Sequence, residues 1–372
     1  MPPRVLYQRL CQRLHDCVPH LGVWPTRRLA LLVTGVLLAR HTALPRVAAR
    51  LRTVTPRAHA DSIERRLRRI LAHTAWHMPS VFEAVVRMSM QRLPAGRCVL
   101  VLDDTQQTDH CTLSTLALAY RGRALPLAWC RWSGRLQGAY WTQIDQLFEQ
   151  AQRMLPPQVQ PVVLADRGLA SPTLVELIQR RGWDYLLRVQ RDTTLRTAKP
   201  RRGPRVHLGD LVAQPGAPSV LVEGWVFLRH SAWAHVAAVW RMGYQEPWLL
   251  VSNLDLGLGL ADLYARRMAV EELFRDGKDG RYGLGLGQTQ VTTAARLDRL
   301  ILILALAIIL LVGLGLVARG RFRPGQWCSS NNPQECSDVT VGRRMWDRID
   351  EPPERLLNEV VRATLLSVGY WG

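Results

Sequence analysis

Two short stretches decide how this chain folds: CVLVLDD (Cys98–Asp104) and PVVLADRG (Pro161–Gly168). Each is an apolar run of strand length that closes on acid. A run with no polar alternation reads as a strand buried on both faces, and its last residue falls at the end of a sheet. Between and around them, TLALAY (Thr115–Tyr120) and ALPLAW (Ala124–Trp129) flank Arg121-Gly122-Arg123, which predicts a hairpin. A helical pattern over Tyr140–Leu155 stops at Pro156-Pro157. Ser171-Pro172 opens another helix, with serine as cap and proline in the first turn, and Gly182 closes it. DYLLRVQR (Asp184–Arg191) is a further strand.

Strand, hairpin, helix, strand, helix, strand is the order of an α/β chain whose mixed sheet is ribonuclease H-like, with two acidic strand ends. Residues 1–95 read as helices only and are expected to form a DNA-binding region. In Ser62–His73, Arg65, Arg66, Arg68 and Arg69 interleave with Ile63, Leu67, Ile70 and Leu71, giving one face for a core and one for phosphates or solvent. The first part of the core spans 96–191. Residues 192–257 carry the basic stretch LRTAKPRRGPRVH and three strand-like runs, expected as a β-subdomain inserted before the second core segment, 258–320. Residues 321–372 form a polar tail with a short helix at Glu354–Leu366. The run Leu300–Ala318 is uncharged and long enough to cross a bilayer. Arginines crowd both of its ends and it stands alone, so a helix buried in the core has the same composition and is the preferred reading.

The 372 residues include 49 Lys and Arg against 30 Asp and Glu, a net charge of +19, which points to a polyanionic partner, most often nucleic acid. A composition 48% hydrophobic and 21% charged excludes wholesale disorder. The seven cysteines lack CxxC pairs, which argues for thiols in a reducing compartment rather than a disulfide framework. Cys328 and Cys336 come nearest to a metal pattern, but they are widely spaced and without histidine partners. The first residues, MPPRVLYQRL, lack the apolar stretch of a signal peptide. A cytoplasmic, nucleoid-associated location is expected.

Three acids stand out by place: Asp103 or Asp104 at the first strand end, Asp166 at the second, and Glu271 on the helix after the insertion. Neighbouring strands would bring the two aspartates together, with the glutamate alongside. Three carboxylates at one point are costly unless paired, and hard divalent cations are the natural partners. Around Glu271 the order is Tyr264, Arg267, Glu271, Lys278, or Y-x2-R-x3-E-x6-K. At about 100° per residue these positions fall within an arc of roughly 60°, so a continuous helix would present all four on one face. Glu272, Asp276 and Asp279 would point elsewhere.

The Y-x2-R-x3-E-x6-K run resembles the signature of the insertion-sequence 4 (IS4) family of DDE transposases. VLVLDDT and VVLADRG are similar to that family's two aspartate strands, and Arg296, Arg299 and the apolar Leu300–Ala318 resemble its next element. The resemblance implies a cut-and-paste DNA transposase. It would use two Mg2+ ions, with Mn2+ able to substitute, held by Asp103, Asp166 and Glu271. Asp-x-Thr after the strand selects Asp103, and Asp104 is the alternative. Tyr264, Arg267 and Lys278 would hold the DNA end, and Trp248 would stack on a flipped base. Partners implied are double-stranded DNA, as terminal inverted repeats and target, and a second copy in a synaptic complex, with no membrane. A non-catalytic DNA-binding remnant or regulator is the alternative.

Overall fold

The computed structural model describes residues 2–72, 78–90, 95–108, 111–120, 123–132, 139–197, 204–228, 232–281, 283–289, 291, 293–328, 332 and 336–368. The N-terminal part is helical: α1 (Pro3–Cys17), α2 (Val23–Ala39), α3 (Leu44–Leu51), α4 (Ala60–Ala72) and α5 (Met78–Met90). On α4 the amphipathic pattern is realised, with Ile63, Leu67, Ile70 and Leu71 buried and its four arginines exposed.

The core follows as β1 (Gly96–Thr108), β2 (Cys111–Tyr120), β3 (Arg123–Trp132), α6 (Tyr140–Met154), β4 (Val159–Ala165), α7 (Pro172–Gln179) and β5 (Asp184–Arg188). β1, β2 and β3 form an antiparallel meander, while β4 lies parallel to β1 on its other side and β5 parallel to β4. The resulting order 3-2-1-4-5 is that of a ribonuclease H-like core. Local signals act as the sequence predicts. The Ser171 hydroxyl accepts from the Leu174 amide at 3.1 Å to cap α7, and Gly182 takes the left-handed φ of 69° that ends its turn. Arg121 and Gly122 of the expected hairpin turn lie outside the described residues.

Five more strands follow: β6 (Thr194–Arg196), β7 (Val206–His207), β8 (Val220–Val226), β9 (Ala232–Val239) and β10 (Trp248–Ser252). They add to the same sheet, because β10 pairs antiparallel with β5 and carries β9, β8, β6 and β7 beyond it. Residues 198–203 of the basic stretch lie outside the described residues.

The chain then returns through α8 (Gly259–Ala265), α9 (Met268–Lys278), α10 (Ala294–Arg321), α11 (Asp338–Met345) and α12 (Pro353–Val368). The tail therefore holds one helix more than its sequence pattern implied. α11 is capped by Ser337, whose hydroxyl accepts from the Thr340 amide at 3.0 Å. Among the described residues α10 is the one helix long and apolar enough to cross a membrane, and 94% of its most apolar window is buried inside the protein. It lies against α2, α4, α5, α11 and α12. Gly313 and Gly315 let the neighbouring backbones come close: a Cβ on Gly313 would stand 2.3 Å from the Leu356 carbonyl, and one on Gly315 2.1 Å from that of Asp338. The N-terminal helices are tied to the connection between α9 and α10, where the Thr42 amide donates to the Leu284 carbonyl at 2.8 Å.

Candidate active site

The last rung of the parallel ladder between β1 and β4 pairs Leu102 with Ala165. Asp103 and Asp166 come next, so they stand side by side on backbones about 4.8 Å apart. Side chains alternate along β1, which sends Asp103 and Asp104 to opposite faces. Asp104 Oδ2 accepts from the Tyr140 hydroxyl at 3.0 Å, at the start of α6. Asp103 Oδ2 instead accepts from Arg267 Nη1 at 3.1 Å. Asp166 Oδ1 accepts from the amides of Gly168 at 2.9 Å and Leu169 at 3.3 Å, an Asx turn that fixes its direction. Burial pushes the Asp103 carboxyl up to about 6; Arg267 pulls against this and the charge of Asp166 adds to it. Burial also raises Asp104.

Glu271 lies in the first turn of α9 with its side chain 44% exposed, and its Oε1 accepts from Arg267 Nη2 at 2.8 Å. A single guanidinium, 13% exposed, thus spans carboxylates from β1 and α9, which are remote in sequence. Arg267 itself sits where the helix breaks. The sequence predicted one continuous helix through Tyr264, Arg267, Glu271 and Lys278, but α8 ends at Ala265 and α9 begins at Met268. Between them the amides of Arg266, Arg267, Ala269 and Val270 each bond the carbonyl three residues back, a tighter winding than the α-helix. The offset from Tyr264 to Glu271 therefore departs from 100° per residue.

The other expected DNA contacts are engaged within the protein. Tyr264 is 4% exposed, with its ring 5.2 Å from that of Trp248 and 6.0 Å from the Arg267 guanidinium, and burial lifts its phenol to about 12. Trp248 opens β10, half-buried, with Tyr244 edge-on at 5.6 Å and Arg241 at 6.0 Å. Lys278 Nζ donates to Thr105 Oγ1 and to the Gln106 carbonyl, both at 2.6 Å, and so ties the end of α9 to β1. Burial lowers its pKa. Glu272 pairs with Arg123 at 2.7 Å and Arg275 at 2.8 Å. Asp276 is buried, accepts from the Ser337 hydroxyl at 2.8 Å and is pushed up to about 7 by burial. Arg299, expected beside Arg296 as part of a motif, donates to the Leu71 carbonyl at 2.8 Å, which satisfies the end of α4. Sequence reasoning missed Tyr140, which acts through packing between elements, for which linear spacing carries no signal; Thr105 of the Asp-x-Thr motif is the partner of Lys278.

Among the described residues no three His, Cys, Asp or Glu side chains are grouped to hold a metal ion. Glu271 faces Arg267 instead. The donor set nonetheless fits a hard divalent cation. Asp103, within β1, and Asp166, just past β4, are oxygen donors at the last rung of the parallel ladder, and burial raises the Asp103 carboxyl.

Carboxylates just past the last rung of a parallel strand pair, with a helix-borne glutamate linked to one of them through Arg267, define an acidic site on a ribonuclease H-like sheet. The family model described as the transposase DDE domain matches residues 142–310, which include Asp166, Trp248, Tyr264, Arg267, Glu271 and Lys278 and leave Asp103 upstream. A cryo-EM structure of the piggyBac transposase synaptic complex with hairpin DNA is similar to this chain at a TM-score of 0.46 and 10% identity, covering 97% of this chain and 83% of that one. No curated protein matches the sequence.

Proposed function

We propose that this chain is a DNA transposase of the IS4 type, which cuts at the inverted repeats ending its element and joins the freed 3′-hydroxyls to target DNA. The observation that carries the reading is the Arg267 bridge, which holds Asp103 of β1 and Glu271 of α9 at one guanidinium, beside Asp166 of β4. The match of residues 142–310 to a transposase DDE domain supports it. Asp103, Asp166 and Glu271 are the residues to hold Mg2+, with Asp104 turned toward Tyr140 as the alternative to Asp103. Two such ions, when bound, activate the attacking oxygen and neutralise charge on the leaving one.

The chain's own groups set the stage for this. The Asx turn orients Asp166, the sheet register sets Asp103 beside it, and α9 carries Glu271 on the other side of the Arg267 guanidinium. Arg267 is the cation able to take two phosphate oxygens of the DNA end. Tyr264 and Lys278 brace Arg267 and α9 through their contacts with Trp248 and β1, and Trp248 is the platform on which a base flipped from the end DNA would stack. A second copy would serve the other element end, and the protein would act in the cytoplasm on the nucleoid.

The test is cleavage of a duplex carrying the inverted repeats that flank the reading frame, with Mg2+. Glu271→Gln should lower the rate at least about a hundredfold, since an anionic ligand for the divalent cations is lost. Glu272→Gln, on the neighbouring position paired with Arg123, should leave cutting in place. Equal cutting by wild type and Glu271→Gln overturns the assignment.

A further inference from the structure

Away from the acidic site, α10 runs into a strap, residues 322–328, and Cys336 stands just ahead of α11. Two thiols meet at its base, with Cys328 Sγ 2.9 Å from Cys336 Sγ. Cys328 is 7% exposed and Cys336 half-buried. Each is held from its own side. The Cys328 amide donates to the Pro324 carbonyl at 2.8 Å, at the end of a short turn. The Cys336 carbonyl accepts from Arg319 Nη2, while Arg319 Nε donates to Asp338 Oδ1 at 2.6 Å. The same guanidinium lies over the Trp327 ring, 4.6 Å from its centroid. Arg344 Nη1 donates to the Trp327 carbonyl at 2.9 Å and stands 3.8 Å from Cys336 Sγ. Both sulfurs are thus brought together by groups anchored on α10 and α11, and the intervening residues need not close the gap themselves. The next residue, Ser337, caps α11 and reaches Asp276 of α9 at 2.8 Å.

We propose that Cys328 and Cys336 form a reversible disulfide, a redox modification site that staples the strap between α10 and α11. The co-reactant is a low-molecular-weight disulfide of the glutathione class. The Cys336 thiolate attacks one of its sulfurs, forming a mixed disulfide and releasing one small thiol. Cys328, once deprotonated, attacks the sulfur of Cys336 and releases the second. The protein dithiol loses two protons and two electrons, and the small disulfide takes up both to become two thiols. Burial and the neighbouring Cys328 hold the Cys336 thiol high, while Arg344 and Arg319 pull it back, so the exchange should quicken as pH rises. In a reducing compartment the pair rests as thiols, and disulfides there are transient and sensing rather than structural.

The test is incubation of the full chain with oxidised glutathione, alkylation of remaining thiols and peptide mapping without reduction. The expected result is one linked peptide pair joining Cys328 to Cys336, lighter by two hydrogens, with both sites lost to alkylation and both recovered by dithiothreitol. Cys336→Ser should abolish the linkage and leave Cys328 alkylatable. Wild-type protein alone decides the matter if that variant folds poorly. Continued alkylation at both sites, glutathione retained on Cys336, or linkage of either residue to another cysteine would each overturn the proposal.

Discussion

At the scale of single residues, the site is governed by Arg267. Its guanidinium stands between Asp103 and Glu271, and among the described residues it is the one cation bonded to both. A divalent cation sharing those carboxylates must draw them from this partner. Removing the competitor should therefore tighten cation binding even without DNA. Mn2+ titration followed by electron paramagnetic resonance should show Arg267→Gln binding about ten- to a hundredfold more tightly than wild type, the scale of one close unit charge near a protein surface. Because burial raises the Asp103 carboxyl to about 6, a proton competes with the cation below that value and wild-type affinity should fall as pH drops through it; without the lowering pull of Arg267 the fall in Arg267→Gln should begin at higher pH. Equal affinity of the two proteins would remove Arg267 from this role.

At the scale of elements, what was legible in the sequence depended on whether the cause was local. The buried strand β4, the cap at Ser171 and the turn at Gly182 each rest on a residue's own preferences, and the structure forms them where the pattern predicts; β1 also forms, but pairing with β2 carries it past Asp104 to Thr108, which the apolar run alone did not signal. The break between α8 and α9 was invisible, because Arg266 and Arg267 are good helix formers; at the break Arg267 reaches Asp103, a contact remote in sequence. α11 was missed for a similar reason: its short pattern is defined by docking on α10. Composition left the long apolar helix undecided, whereas its glycines explain its surroundings. Gly315→Val should destabilise the protein by about 3 kcal/mol in thermal or urea unfolding, since its side chain would enter the Asp338 carbonyl. Gly320→Ala, on the same helix with nothing within 4 Å of the new methyl, should instead stabilise by about 0.5 to 1 kcal/mol. The reverse ranking would mean that α10 does not pack against α11 as described.

At the scale of the whole molecule, the net charge of +19 and the exposed arginines of α4 set how duplex DNA should be held. If phosphates are the main partner, affinity for a non-specific duplex should fall about a thousandfold between about 50 and about 200 mM salt, the loss that some six neutralised phosphates would give. A flat salt response in a fluorescence anisotropy titration would point to another partner. The continuous ten-stranded sheet has a consequence of a different kind. Because β10 completes the hydrogen bonding of β5, the strands that entered as an added segment are no longer a detachable accessory. Excising them would strip one rim of the central sheet and leave an open, adhesive border beside β4 and its aspartate. Descendants of this chain can therefore trim the loops of that segment, but they inherit its backbone as a condition of staying folded.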